Sequence, residues 1–115
     1  MQGFQITIFT GEGRRHGHQT MGAWLLETVR QLGIRGATLG TGVEGIGRDG
    51  RLHSAHFFEL ADQPVTLTLV VTEAQWALLA QALTQAQADL FYVKVPAEFG
   101  VLGGPGPDAT PAAAG

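Results

Sequence analysis

Residues 65–83 read Val-Thr-Leu-Thr-Leu-Val-Val-Thr-Glu-Ala-Gln-Trp-Ala-Leu-Leu-Ala-Gln-Ala-Leu. In the first six of them apolar residues alternate with polar ones almost without a break, and this period of two predicts a strand with one buried face. Thr72 then suits a helix N-cap, and Gln75 occupies the capping-box position three residues later. From Trp76 to Leu83 the apolar residues recur at helical spacing. The stretch therefore predicts a strand that leads directly into an amphipathic helix.

The rest of the chain repeats this pattern on both sides. The predicted strands and helices are a strand at residues 4–8, a helix at 21–32 ended by Gly33, a short strand at 37–39, renewed strand character at 55–60, and a last strand at 90–95 ended by Pro96. The order is β-α-β followed by β-α-β, which is typical of the α+β, ferredoxin-like βαββαβ domain with a four-stranded antiparallel sheet. Both helices would cover the same face of that sheet. Phe9, Phe58 and Val70 are candidates for the other face, and an apolar open face favours oligomerisation.

Two segments lack a regular period. Residues 40–54 contain five glycines and are predicted to form a long loop, which in a compact domain is usually functional or mobile. Residues 99–115 consist largely of Gly, Pro and Ala, so we expect a disordered tail behind a single domain at residues 1–98.

Composition excludes several classes of function. The chain has 115 residues, a net charge of −3 and no cysteine, which excludes disulfides, thiolate metal sites and a cysteine nucleophile. A weakly acidic chain lacks the positive field of a general nucleic-acid binder. No apolar run approaches the ~20 residues that span a bilayer. The first ten residues show no signal-peptide pattern, so a cytoplasmic location is expected.

The glycine-rich stretch Gly-Glu-Gly-Arg-Arg-His-Gly at residues 11–17 lies between a predicted strand and a predicted helix. Backbone N–H groups at a helix N-terminus attract anions, and Arg14 and Arg15 could add charge-assisted hydrogen bonds to a phosphate or carboxylate. A flexible turn with solvated arginines is the alternative. A second stretch, at residues 40–45, spells G-x-G-x-x-G, but no helical period follows it, and a dinucleotide fingerprint requires one.

Four histidines raise the question of a metal site. His16 and His18 are two residues apart, and His53 and His56 are three apart. Imidazole ligands suit zinc, copper or nickel, but hydrogen-bonding histidines around a cleft explain the pattern with fewer assumptions. No arrangement of catalytic side chains is legible, so enzyme activity is not expected. Lys94, near the end of the last strand, could reach a cleft or protect a sheet edge.

Four short motifs occur in an order known from one family. They are Gly-Glu-x-x-Arg-His-Gly at residues 11–17, Gly-Ala-Thr at 36–38, Gly-Val-Glu-Gly-Ile-Gly at 42–47 and Arg-Leu-His at 51–53. Together they resemble the PII-like signalling proteins, a group of the PII superfamily long filed as a domain of unknown function. The resemblance extends from about Phe4 to Val95.

The resemblance implies a homotrimer with effector clefts between subunits, in which an adenine nucleotide lies beneath the base of a flexible T-loop. Thr38 matches the threonine that contacts adenine, while Gly45, Gly47 and Arg48 match the root of the T-loop beside the phosphates. The further candidate ligand contacts are Arg14, Arg15, His53 and Lys94. The tip of the loop, with Arg48, Asp49 and Arg51, would contact a regulated protein such as a membrane transporter or an enzyme.

The sequence departs from the PII pattern in one respect. The second helix is predicted to run straight into Leu90, so the glycine- and lysine-rich loop that cradles phosphates before the last strand is absent, and residues 96–115 contain no Lys or Arg. ADP or AMP is therefore expected rather than ATP, and another small anion stays open as the effector. Two alternatives also stay open: a metal-binding trimer similar to the CutA proteins, using His16, His18, His53 and His56, and a small nucleotide-processing enzyme.

Overall fold

The computed structural model describes residues 1–42, 44–46, 52–54 and 63–104. Its elements, in chain order, are β1 (Gln2–Gly11), β2 (Arg15–His16), β3 (Gln19–Thr20), α1 (Met21–Gln31), β4 (Thr38–Thr41), β5 (Glu44–Ile46), β6 (Leu52–Ser54), β7 (Pro64–Val71), α2 (Glu73–Gln85) and β8 (Phe91–Glu98). Neither helix has the length and apolarity needed to cross a bilayer.

The main sheet has four strands in the order β4-β7-β1-β8. Each neighbouring pair is antiparallel, with β1 and β7 in the centre and β4 and β8 at the edges. Both helices pack on one face of this sheet. The arrangement is the predicted ferredoxin-like fold, which is confirmed.

The core lies between the helices and the sheet. The alternation in residues 65–71 is confirmed: every apolar residue at an odd position of β7 is buried, and the threonines between them are not. The fully buried large side chains are Ile6, Ile8, Leu25, Val29, Leu67, Leu69, Val71 and Leu79. Gly22 lets α1 approach the sheet closely, since a Cβ there would lie 3.3 Å from the Leu39 side chain.

Both helices begin and end in matching ways. Thr20 and Thr72 are the N-caps, and the predicted capping box is confirmed, because Thr72 N–H donates to Gln75 Oε1 at 2.9 Å and Gln75 N–H donates to Thr72 Oγ1 at 3.2 Å. At the C-terminus of α1 the predicted Gly33 adopts a φ of +75°. The α2 helix ends in the same Schellman pattern of hydrogen bonds, but with Gln87 at a φ of +57° in the glycine position.

Three predicted boundaries differ from the structure. The prediction that Pro96 ends the last strand is wrong: β8 continues to Glu98, with Pro96 opposite Phe4, because an edge strand needs no N–H donor on its outer side. The second helix ends at Gln85 instead of running into Leu90. Residues 40–54 were predicted as a long loop into which the preceding strand could extend; β4 does extend to Thr41, but the segment also contains a two-stranded hairpin of β5 and β6.

The remaining boundary predictions fall partly outside the described residues. Strand character at residues 55–60 and most of the tail, residues 105–115, lie outside them. The tail was predicted to begin at residue 99. Phe99 still exchanges two backbone hydrogen bonds with Met1, at 2.7 and 2.9 Å, so the ordered pairing with β1 extends at least to this residue.

The face of the sheet away from the helices is open and in large part apolar. Phe9 and Val70 lie on it as predicted, since each alternates with residues buried beneath the helices, whereas Phe58 lies outside the described residues. The edge strand β8 contributes further exposed apolar side chains to this face: Phe91, Val93 and Val95. Phe9 and Phe91 are directly opposite each other, with ring centroids 5.7 Å apart.

Candidate functional site

Four connections meet at the end of the sheet where β1 finishes. They are the loop and β2–β3 hairpin that follow β1, the β5–β6 hairpin that follows β4, the entry into β7, and the junction between α2 and β8. Backbone hydrogen bonds tie them together: Glu12 N–H donates to Gln63 O at 3.0 Å, and Gly42 N–H donates to Pro64 O at 2.7 Å. We call this region the loop end of the sheet.

Arg14 fastens the β1–β2 loop to the α2–β8 junction. Its Nη1 donates to the backbone carbonyl of Asp89 at 2.6 Å, across 75 positions of sequence. Its own backbone joins β1 to α1, because Arg14 N–H donates to Gly11 O at 3.1 Å and its carbonyl accepts from Met21 N–H at 2.8 Å. The side chain proposed as an anion ligand is therefore engaged as a clamp between two loops.

Arg15 and the histidines shape the β2–β3 hairpin. Arg15 is exposed, and its Nη2 donates to the carbonyl of His18 within the same hairpin. The imidazole of His16 stacks on the indole of Trp24, with ring centroids 3.9 Å apart and planes 24° apart. Gly17, at a φ of +63°, makes the turn between the two strands. The hairpin thus lies on the first turns of α1 and presents the guanidinium of Arg15 to solvent.

Thr38 lies on the open face of the β4 edge, away from the arginines. It is exposed and stands opposite Thr68, which in turn stands opposite Thr7. The row of three threonines crosses the sheet from β4 to β1. A hydroxyl at the outer end of this row is accessible to a ligand that approaches the β4 edge.

The residues that were predicted to form a T-loop are described in part. Gly45 and His53, two of the predicted ligand contacts, are directly opposite each other in the β5–β6 hairpin. The structure therefore brings these two positions together at the backbone. Gly47, Arg48, Asp49, Arg51 and His56 lie outside the described residues.

Lys94 faces the helices from the β8 edge. Its Nζ lies 4.5 Å from the centroid of the Phe4 ring and 5.6 Å from the Trp76 ring. Lys94 and Thr38 are thus on opposite faces of the sheet and on its two opposite edges. Within one chain the structure does not bring these two predicted contacts together.

No metal centre forms in the part of the chain that the structure describes. Within it, no group of three or more His, Asp or Glu side chains is placed to hold an ion. His16 instead packs flat against Trp24. One polar atom at the loop end has no hydrogen-bond partner among the described residues: Oγ1 of Thr10, which is buried.

Sequence reasoning missed two features of this region. The stacking of His16 on Trp24 was not foreseen: Trp24 packs against the core from a half-buried position, and its indole also supports His16. The carbonyl of Asp89 was not foreseen as the partner of Arg14, and a backbone acceptor leaves no signal in a sequence. The sequence does contain a signal for the β2–β3 hairpin, because a glycine between two histidines fits the tight turn that joins two short strands.

Comparison with known proteins agrees with this architecture. Residues 3–94 match the family DUF190, described as an uncharacterized ACR. Among solved structures, the chain is similar to CPII, a nitrogen regulatory PII-like protein from Thiomonas intermedia K12 bound to ADP, AMP and bicarbonate. The TM-score is 0.59 at 14% identity, over 84% of this chain and 89% of that one.

A protein from Thermus thermophilus described as a PII-like signalling protein matches with a TM-score of 0.58 at 18% identity, over 84% of this chain and 85% of that one. CPII bound to ADP and bicarbonate matches with a TM-score of 0.57 at 14% identity, over 84% and 89%. At these identities the likeness concerns the fold. The family match covers most of the chain, from the first strand to the last, so this chain belongs to DUF190 and has the fold of the PII-like proteins.

Proposed function

We propose that this protein is a PII-like signal-transduction protein, which binds an adenine nucleotide in clefts between the subunits of a homotrimer and catalyses no reaction. The observation that carries the proposal is the fold shared with CPII, whose structures hold ADP and AMP. ADP or AMP is the expected effector in preference to ATP. The protein would act in the cytoplasm.

The position of the predicted contacts supports a cleft between copies. Thr38 is at the β4 edge and Lys94 at the β8 edge of the same sheet, so both can line one site only if the two edges come from different copies. The open apolar face supplies a surface that association would cover. The fixed register of Gly45 and His53 would present both to a ligand at the root of the hairpin.

The limited positive charge supports a nucleotide with few phosphates. The α2–β8 junction, residues 86–90, contains no Gly, Lys or Arg, and the guanidinium of Arg14 already donates to its Asp89 carbonyl. Among the described residues of the connection between β1 and α1, Arg15 is the exposed cation, and we assign it to the phosphates. The unpartnered hydroxyl of Thr10 is a polar group that a ligand or its water could satisfy.

Regulation of a partner would run through residues 42–54. Ligand binding at the base of this segment biases it between arrangements, and Arg48, Asp49 and Arg51 give it polar contacts for a regulated membrane transporter or enzyme. The partner would thereby sense whether the cleft is occupied.

Calorimetry and native mass spectrometry of the full chain test this function. We expect a trimer that binds ADP or AMP, one per subunit, more tightly than ATP. Arg15→Gln should weaken binding by about tenfold, because it removes a charge-assisted hydrogen bond to phosphate. Arg15→Lys is the matched control, because it keeps the positive charge at the same position and should lose less affinity than Arg15→Gln.

Two outcomes would contradict the proposal. If none of the three nucleotides binds at millimolar concentration, the effector assignment is wrong. If ADP, AMP or ATP is converted during incubation, the small-enzyme alternative replaces the signalling role.

A further inference from the structure

An open apolar groove lies between α1 and the segment that leads into β4. Its volume is about 430 Å³, and it is lined by Ala23, Leu26, Glu27, Val29, Arg30, Ile34 and Ala37. Val29 and Ile34, 2% and 5% exposed, form its floor, whereas Leu26 is half-buried and Ala23 is exposed. The groove is therefore a surface at which an apolar side chain from another molecule can be covered.

The rim of the groove is charged. Arg30 donates to both carboxylate oxygens of Glu27, at 2.7 and 3.2 Å, which lowers the pKa of Glu27 and raises that of Arg30. This pair is neutral as a unit. Arg35 is exposed and lies in the chain between the two lining residues Ile34 and Ala37, so the segment that borders the groove carries one further positive charge.

A complementary feature follows β8. Val101 is 49% exposed and Leu102 fully exposed, at a turn that the hydrogen bond from Gly104 N–H to Val101 O closes at 3.3 Å. The half-buried Phe99, paired with Met1, fixes the start of this turn against the sheet. Two apolar side chains are thus held at the surface with nothing among the described residues to cover them.

The groove and the turn cannot meet within one chain. The groove lies beside the β4 edge, and the turn continues from β8, the opposite edge of the four-stranded sheet. The turn and the groove both lie towards the end of the sheet where β1 begins. The turn does so because β8 ends opposite Gln2. The groove does so because its segment precedes Thr38, which is level with Thr7 on β1. A contact between them must therefore join two copies in a head-to-tail manner.

We propose that the turn at Val101 and Leu102 of one copy docks into the α1 groove of the next copy. Leu102 would lie against Leu26 and Ile34. Glu98, the only charged residue from 95 to 104, would approach Arg35. The proposal rests on the association of copies in the proposed function. It adds which segment of one copy contacts which groove of the next copy.

Disulfide cross-linking is a direct test, because the chain contains no cysteine of its own. The exposed positions Ala23→Cys and Leu102→Cys place one thiol in the groove and one on the turn. Docking holds these thiols at millimolar effective concentration, so in micromolar protein they should cross-link about a hundredfold faster than thiols that meet by collision. The control pairs Leu102→Cys with Leu78→Cys, an exposed leucine on α2 outside the groove.

A mixture of the two single variants sharpens the test. Ala23→Cys and Leu102→Cys proteins, mixed in equal amounts, should yield a covalent heterodimer, and each alone should not. Equal cross-linking of the groove pair and the Leu78 control would overturn the docking, as would a disulfide within one chain. A stable trimer without the cross-link contradicts only the docking, whereas a monomer at all concentrations contradicts the trimer of the proposed function as well.

Discussion

At the scale of single residues, Gly3 shows how little space separates the two central strands. A Cβ built at Gly3 would lie 1.9 Å from the carbonyl oxygen of Val71, far inside van der Waals contact, and 3.0 Å from the ring of Phe99. The first obstacle is backbone and cannot move away as a side chain would. Only glycine therefore fits at this position without a shift of β1.

We expect Gly3→Ala to lower the free energy of unfolding by about 1–3 kcal/mol, the usual cost of overpacking. Denaturation by guanidinium, followed by circular dichroism, measures the change. Gly100→Ala is the control, because no atom lies within 4 Å of its added Cβ, and it should change stability by less than about 0.5 kcal/mol. If both variants are as stable as the wild type, β1 can shift to accommodate the added Cβ, and the prediction is wrong.

Sequence alone predicts residues whose partners are local. Thr72 and Gln75 were assigned to a capping box because their spacing defines it, and Gly33 was assigned to a helix end for the same reason. The role of Arg14 could not be derived in this way. Its partner is a carbonyl 75 positions away, and the fold must exist before the two can meet.

At the scale of elements, the two helices end in the same hydrogen-bond pattern with different residues. Gly33 and Gln87 both adopt left-handed backbone angles, which cost an L-residue with a side chain more than they cost glycine. A Cβ at Gly33 would meet no atom within 4 Å, so a side chain at this position would cost only the strain of the left-handed backbone.

Reciprocal substitutions should therefore change stability in opposite directions. We expect Gln87→Gly to raise the free energy of unfolding by about 1 kcal/mol and Gly33→Gln to lower it by a similar amount. Thermal denaturation of the two variants and of the double variant checks both signs, and the double variant should lie near the wild type. A loss of stability in Gln87→Gly would mean that the Gln87 side chain contributes more than its strained backbone costs.

Element boundaries were harder to predict than element types. Pro96 suggests a strand end, since proline donates no hydrogen bond, but this rule assumes a strand with neighbours on both sides. Because β8 has β1 as its only partner in the described structure, the strand continues through Pro96 to Glu98. Whether a strand is central or at an edge depends on topology, which local sequence does not contain.

At the scale of the whole molecule, the open face of the sheet exposes apolar side chains to solvent in a single chain. Phe91, Val93 and Val95 project from the edge strand β8, each between 41% and 49% exposed. Burial of such a patch is favourable at roughly 25 cal/mol per Å² of apolar surface. We therefore propose that the copies of the proposed trimer associate through this face.

If the proposed trimer forms through this face, Val93→Glu should convert it to single subunits, because a buried carboxylate without a partner costs more than the interface gains from one side chain. Light scattering behind size-exclusion chromatography measures the mass, and circular dichroism verifies that the fold persists. Leu78→Glu, on the exposed side of α2, should leave the mass unchanged. A Val93→Glu protein that still has the wild-type mass would place the contact elsewhere.

The topology and the helix-covered face were predictable from periodicity, because burial of a face imposes the period on residues 65–71 directly. The arrangement of the candidate site was not. Thr38 and Lys94 lie on opposite edges of one sheet, so they would share a site only in the proposed assembly, and the pattern of a single chain does not encode a distance between two molecules. The family resemblance pointed to Thr38, and Lys94 was a candidate only because it lies near the end of the last strand.

The stacking of His16 on Trp24 gives the molecule an intrinsic optical reporter. The chain holds only two tryptophans, and the other, Trp76, lies beside Tyr92 and Lys94, away from the β2–β3 hairpin. An imidazole in contact with an indole alters its fluorescence emission, so any displacement of the hairpin would change the light emitted by Trp24. Binding of a ligand at the β2–β3 hairpin would thus be measurable from the fluorescence of Trp24 without an attached dye.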